Sequence, residues 1–100
     1  MKEELKLINN CIGYVAAIIN SNANFTAYCR IICVGITPEE DKLLVYLSNG
    51  YGMMSISKNT NEYNQYMISL NNCNNVYGSQ HFRIPKFDID TKNHKIFFIN

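Results

Sequence analysis

Apolar residues recur at every second position after residue 24, and this alternation constrains the fold more than any other feature. The odd-numbered positions from Phe25 to Cys33 are apolar, whereas the even-numbered positions before residue 31 carry Thr26, Tyr28 and Arg30. Successive side chains of a strand point to opposite faces, so the pattern predicts a β-strand with one buried face. Residues 31–36 are apolar at nearly every position, which predicts a central or doubly covered stretch of that strand.

Turn signals divide the rest of the chain into further short strands. Asn49-Gly50 is typical of a type I′ hairpin turn, so residues 43–48 and 51–57 are predicted to pair antiparallel. Alternation returns over residues 63–70, where Tyr66, Ile68 and Leu70 share one face. The last predicted strands are 82–88, interrupted by Pro85, and 95–99, which follows a turn at 90–93.

The first twenty residues fit two alternative structures. Leu5, Ile8 and Ile12 begin a helical spacing that continues to residue 19, which predicts one amphipathic helix over 3–19. The alternative is a helix over 3–10 followed by a strand over 13–19, because Tyr14 to Ile19 also contains good strand formers. Both interpretations place a helix before the strands.

The chain is predicted to be a single α+β domain over residues 1–100. A chain of 100 residues has one modest core, and 47% apolar with 17% charged residues is typical of a folded protein. The N-terminal helix is expected to pack on a curled antiparallel sheet of about five or six strands. A barrel-like arrangement of this sheet is one alternative. The sequence has no export signal and no apolar run of membrane length, so we expect a cytoplasmic protein with no membrane contact. In that compartment the cysteines are expected to be reduced and buried.

Composition and motifs argue against several classes of function. A net charge of +1 does not supply the positive surface of most nucleic-acid-binding proteins, so no nucleic-acid partner is expected. No catalytic or phosphate-binding motif is present, and we predict no cofactor, catalytic residue or metal ligand.

The weaker alternative is a metal-dependent enzyme that uses Asp88, Asp90 and His94, since both carboxylates share a strand face. The simpler interpretation is that Asp90 and Asn93 shape a turn.

One stretch resembles a known family. Gly13-Tyr14-Val15-Ala16-Ala17, a turn at 21–24 and a strand at Leu43–Leu47 follow in the order found in the FMN-binding split-barrel family. This resemblance covers about half the chain and implies a dimer that binds flavin or another nucleotide. Residues 49–57 lack the basic side chain that the family would bring to the flavin phosphate. A small-ligand-binding split-barrel-like dimer is therefore the second hypothesis.

The first hypothesis is a small non-catalytic protein that binds another protein. Residues 58–80 combine tyrosine with many asparagines, as adaptable protein-binding loops do, and the predicted contact residues are Tyr63, Asn64, Tyr66 and Tyr77. An inhibitor of a partner enzyme, from a low-GC bacterium or its phage, would have this form. A homodimer through a strand edge or through the C-terminal strand is a further expectation. The alternative is that an AT-rich coding sequence fills exposed loops with these residues.

Overall fold

The computed structural model describes residues 1–59, 65–71 and 78–100, which form one α-helix packed on a single sheet and a short 3-10 helix at Ser21–Ala23. Helix α1 spans Lys2–Asn9, and the first four strands are β1 Val15–Asn20, β2 Phe25–Ile36, β3 Lys42–Leu47 and β4 Gly52–Asn59. The other strands are β5 Gln65–Leu70, β6 Gln80–Ile84, β7 Asp88–Asp90 and β8 Lys95–Ile99. The sheet order is β6-β5-β4-β3-β2-β1-β8-β7. The predicted α+β class, with an N-terminal helix on a curled sheet, is confirmed.

The sheet curls until its two edge strands approach each other at one end. Strands β6 and β7 lie at opposite ends of the strand order, and a flat sheet of this width would hold them about 34 Å apart. Only residues 85–87 connect Ile84 to Asp88, and that length of extended chain reaches at most about 14 Å. The sheet therefore bends around one enclosed side but does not close, because β6 and β7 are not hydrogen-bonded to each other.

The helix ends much earlier than the 3–19 prediction, and the alternative of a helix followed by a strand is correct. Gly13 has a φ of +88°, which an α-helix cannot accommodate, and the chain turns here before β1 begins. Strand β1 then lies between β2 and β8, so both of its backbone edges are hydrogen-bonded. This pairing outweighs the helical spacing of the same residues.

The sheet differs in two details from the predicted antiparallel sheet of about five or six strands. The described residues form eight strands, and β1 pairs with β8 in parallel, so the sheet is mixed. The predicted strand over 82–88 is two strands, β6 and β7, on opposite edges of the sheet. Pro85 lacks an amide hydrogen and ends β6, which frees the chain to cross between the edges.

The enclosed side of the sheet holds the hydrophobic core, and the opposite side is the outer face. Every strand except the short β7 contributes fully buried or nearly fully buried side chains to this core, and α1 adds Ile8. The hairpin between β3 and β4 turns at Asn49 and Gly50, whose φ angles are +61° and +76°. Positive φ at both central residues is the mark of the predicted type I′ turn.

Candidate functional site

A β-bulge in β2 creates an apolar patch on the outer face of the sheet. Ile31 of β2 pairs with Leu47 of β3, but the next pair is Cys33 with Tyr46, so Ile32 is an extra residue in β2. A bulge of this kind bends the strand and changes the direction in which the neighbouring side chains point. Ile32 is 56% exposed as a result, and Cys33 is exposed rather than sharing the buried face of Cys29. The predicted position of Cys33 on the inner face is therefore wrong.

The bulge patch continues across β3 and β4. Cys33, Tyr46 and Met53 are aligned in one row by the strand register, and Tyr46 is 44% exposed. Neighbouring strands are about 4.8 Å apart, so these three side chains are within reach of one another. Leu44 lies two residues before Tyr46 on the same face and is half-buried. We define the bulge patch by its five apolar residues, Ile32, Cys33, Leu44, Tyr46 and Met53.

Polar side chains border this patch on β3 and β4. Ser55 is paired with Leu44, and Ser57 is paired with the exposed Lys42 at the end of β3. Backbone hydrogen bonds to both neighbours hold β3 in place, so the patch stands on a rigid base. An apolar centre with a polar border is the usual anatomy of a protein-binding surface.

Of the four predicted contact residues, only Tyr66 lies within the described part of the chain. Its ring is half-buried at the start of β5 and lies 5.3 Å from the ring of Phe87, and its hydroxyl donates a 2.8 Å hydrogen bond to Glu4. Burial, together with that hydrogen bond, raises the pKa of Tyr66 to about 12. Tyr63, Asn64 and Tyr77 lie outside the described residues, and their role stays a prediction.

The structure also shows what surrounds the predicted acidic pair and His94. The carboxylate of Asp88 is 3.6 Å from the exposed Lys86 ammonium group, whereas Asp90 accepts hydrogen bonds from the backbone and side-chain amides of Asn93. The ring of His94 stacks on Tyr14 at 4.9 Å. Within residues 1–59, 65–71 and 78–100, no three His, Cys, Asp or Glu side chains are grouped as metal ligands. Asp90 therefore has the turn-forming contacts that its sequence context indicates.

The sequence patterns did not single out Ile32 and Tyr46 as exposed residues. The apolar run over 31–36 predicts a central or doubly covered stretch, and β2 is indeed central, between β1 and β3, but its outer side is open at residues 32 and 33. The outward position of Tyr46 is predictable from alternation, because burial of residues 43, 45 and 47 places residues 44 and 46 on the opposite face of the sheet. The bulge at Ile32 has no comparable local signal, since it depends on the pairing with β3.

No helix in the described part of the chain has the length and apolar character needed to cross a membrane. Comparison with protein-family models, with curated protein sequences and with solved structures finds no match for this chain.

Proposed function

We propose that this protein acts by binding another protein, and that the bulge patch is its contact surface. The observation that carries the proposal is that Ile32 is exposed next to Cys33, whose partner on the adjacent strand is the exposed Tyr46. Isolated exposed apolar residues are normal, but a cluster with a polar border marks an interaction site.

The chemistry of the patch suits a protein partner. Aromatic residues and methionine are enriched at protein interfaces, and the patch contains Tyr46 and Met53. Removing apolar surface from water contributes about 25 cal/mol per Å², so covering Ile32 and Tyr46 is favourable. Because these side chains stand on paired strands, binding orders little additional backbone.

A photo-crosslinking amino acid placed at Tyr46 tests this proposal. The control is the same amino acid at His81, which is exposed on the edge strand β6, outside the patch. In extract from the source organism, the probe at position 46 should form a covalent adduct with one partner protein, and the probe at position 81 should not. Equal labelling from both positions, or labelling from neither, contradicts the proposal.

The partner identified by mass spectrometry should then be purified and its affinity measured. We expect Ile32→Ala and Tyr46→Ala each to weaken binding about tenfold or more, as central interface residues do. The matched control is Tyr28→Ala, which removes an exposed tyrosine from another part of the outer face and should leave this affinity unchanged. Unchanged affinity for both patch variants overturns the assignment of the surface.

A further inference from the structure

Helix α1 is attached to the sheet at few points. Only Glu4 and Ile8 of this helix are buried, and the Glu4 carboxylate is stable in the interior only with partners. Within the described part of the chain, no backbone hydrogen bond joins Lys2–Asn9 to a strand. The first such bond runs from the Gly13 amide to the Ile31 carbonyl oxygen at 2.8 Å. Side chains therefore hold the helix in place, whereas backbone pairing holds every strand.

The polar contacts of α1 reach two separate parts of the curled sheet. Glu4 contacts Tyr66 and Lys58, which are paired with each other on β5 and β4. The Lys2 ammonium group lies 3.4 Å from a carboxylate oxygen of Glu40, in the turn between β2 and β3. The helix also packs on β2, and two strands separate β2 from β5 in the sheet order. It therefore lies across one end of the curl.

Residues 10–12 connect the helix to the fixed part of the chain. Asn10 and Ile12 are exposed, and the chain is held to β2 from Gly13 onward, where the Gly13 amide binds the Ile31 carbonyl oxygen. Cys11 is only 2% exposed, and its thiol donates a 3.4 Å hydrogen bond to the Leu7 carbonyl oxygen, so the last turn of α1 covers it. A change of backbone conformation at residues 10–12 moves the helix without breaking a strand pair.

The helix has little stability of its own. Isolated helices of fewer than about 12 residues are marginal in water, and α1 has eight residues and no side-chain hydrogen bond at its N-cap. Segments with few buried apolar contacts open at a lower free energy than the core strands of the same protein. Its helical structure therefore depends on the contacts of Ile8 and Glu4 with the rest of the chain.

We propose that α1 is a lid, which opens as one unit while the strands of the sheet stay paired. Opening uncovers the core position of Ile8, the hydroxyl of Tyr66 and the thiol of Cys11. The Glu4 carboxylate is the latch, because its contacts with Tyr66 and Lys58 exist only in the closed form.

Two cysteines provide a matched pair of reporters for this opening. Cys11 and Cys29 are each 2% exposed, but Cys11 is covered by α1 and Cys29 lies in β2, between β1 and β3. In a Cys33→Ser/Cys73→Ser background, a thiol reagent reaches either residue only when the structure opens. We expect Cys11 to be labelled at least about tenfold faster than Cys29, because only Cys29 requires the sheet to unfold. Equal labelling rates overturn the proposal.

A substitution in the sheet separates lid opening from global unfolding. Gly50→Ala strains the β3–β4 turn, which is formed in the closed and in the open protein alike. It should therefore accelerate the labelling of Cys29 and leave that of Cys11 unchanged. If Gly50→Ala accelerates both cysteines by the same factor, the helix opens only when the sheet unfolds, and the proposal is wrong.

A substitution of the latch should have a different effect. Glu4→Gln removes the negative charge that Tyr66 and Lys58 hold in the closed form. Because both openings start from the closed form, this variant should accelerate the labelling of Cys11 and of Cys29 by the same factor, about tenfold. An unchanged labelling rate at Cys11 contradicts the role of the carboxylate as the latch.

Hydrogen exchange tests whether the helix opens as a whole. The amides of Leu5 and Asn10 donate to carbonyl oxygens within the first ten residues, so they are protected only while the helix is formed. Relative to their intrinsic rates, both should exchange at least about tenfold faster than the amide of the buried Val45 in β3. Exchange at the rate of Val45 overturns the proposal. Fast exchange without fast labelling of Cys11 also overturns it, because the helix then frays without lifting.

No partner protein is present in these measurements. Their outcome therefore does not depend on the function proposed for the bulge patch, and either proposal can fail without the other.

Discussion

The hydroxyl of Tyr66 donates a 2.8 Å hydrogen bond to Oε2 of Glu4, although 62 residues separate them along the chain. The Nζ atom of Lys58 lies 3.7 Å from the same carboxylate oxygen. Glu4 is buried at 8% exposure, so its negative charge is stabilised mainly by these groups and not by water. The contact joins helix α1 to strands β4 and β5 and helps to hold the helix against the sheet.

Tyr66→Phe should destabilise the protein by about 1.5 kcal/mol or more, because it removes a hydrogen bond to a buried carboxylate. Phenylalanine retains the ring that packs on Phe87, so the loss reports on the hydroxyl group. Chemical denaturation measures the change in the free energy of unfolding. The control is Tyr28→Phe, whose hydroxyl is on the exposed outer face. Equal effects of the two substitutions would contradict the assigned role of the Tyr66–Glu4 contact.

Stability should fall at alkaline pH in a way that depends on Tyr66. Folding raises the pKa of Tyr66 from 10.0 to about 12. A group whose pKa is higher in the folded state contributes stability that is complete below its unfolded pKa and is lost as the pH rises. The free-energy difference between wild type and Tyr66→Phe should therefore shrink between pH 10 and about 12. A constant difference across this interval would show that the tyrosine does not titrate as described.

Stability should also fall at acidic pH through Glu4. Burial by itself would raise the pKa of this carboxyl, but the Tyr66 hydrogen bond, a backbone hydrogen bond and the positive charges of Lys58 and the N-terminus together outweigh it and hold the pKa below 4.5. The sign is opposite to that of Tyr66: the contribution is complete above the unfolded pKa and is lost as the pH falls through the lower folded value. Wild type should lose its advantage over Glu4→Gln as the pH falls below 4.5. If the free energies of unfolding of the two proteins changed in parallel with pH, the assigned role of Glu4 would be wrong.

The described cysteines should differ sharply in reactivity. Burial raises the pKa of Cys29 to about 11 and also raises that of Cys11, whereas Cys33 is exposed in the bulge patch. Alkylation requires an accessible thiolate, so native Cys73→Ser protein should take up one label, at Cys33. Intact mass and peptide mapping measure this, with the denatured protein as the control that labels all three. Native labelling of Cys29 at the rate of Cys33 would disagree with the buried position.

Gly50→Ala should destabilise the β3–β4 hairpin by about 1–2 kcal/mol, because φ at this position is +76° and a side chain is strained there. The matched control is Gly35→Ala in strand β2, where an added Cβ meets no atom within 4 Å and no positive φ is required. We expect that control to leave the free energy of unfolding nearly unchanged. Thermal denaturation compares the two variants. A larger loss for Gly35→Ala would contradict the turn geometry.

Local patterns predicted most of the strands but little of the candidate surface. The alternation around Ile68 and the Asn49-Gly50 turn depend on neighbouring residues only, and the structure confirms both. Tyr66 was correctly placed on the face of Ile68, but its hydroxyl contact with Glu4 joins distant parts of the chain. Likewise, the exposure of Ile32 follows from a register shift between β2 and β3, which neither strand encodes alone.

Local sequence patterns are sufficient for the α+β class, the type I′ turn and the strands between residues 25 and 70, because backbone preferences and side-chain alternation act over a few residues. Long-range pairing is what makes residues 15–20 a strand and not a helix, since their helical spacing and their strand-forming side chains favour different structures. Their backbone groups are satisfied by β2 on one side and by the C-terminal strand β8 on the other. That parallel partner lies at the far end of the chain, where no local pattern at β1 could indicate it.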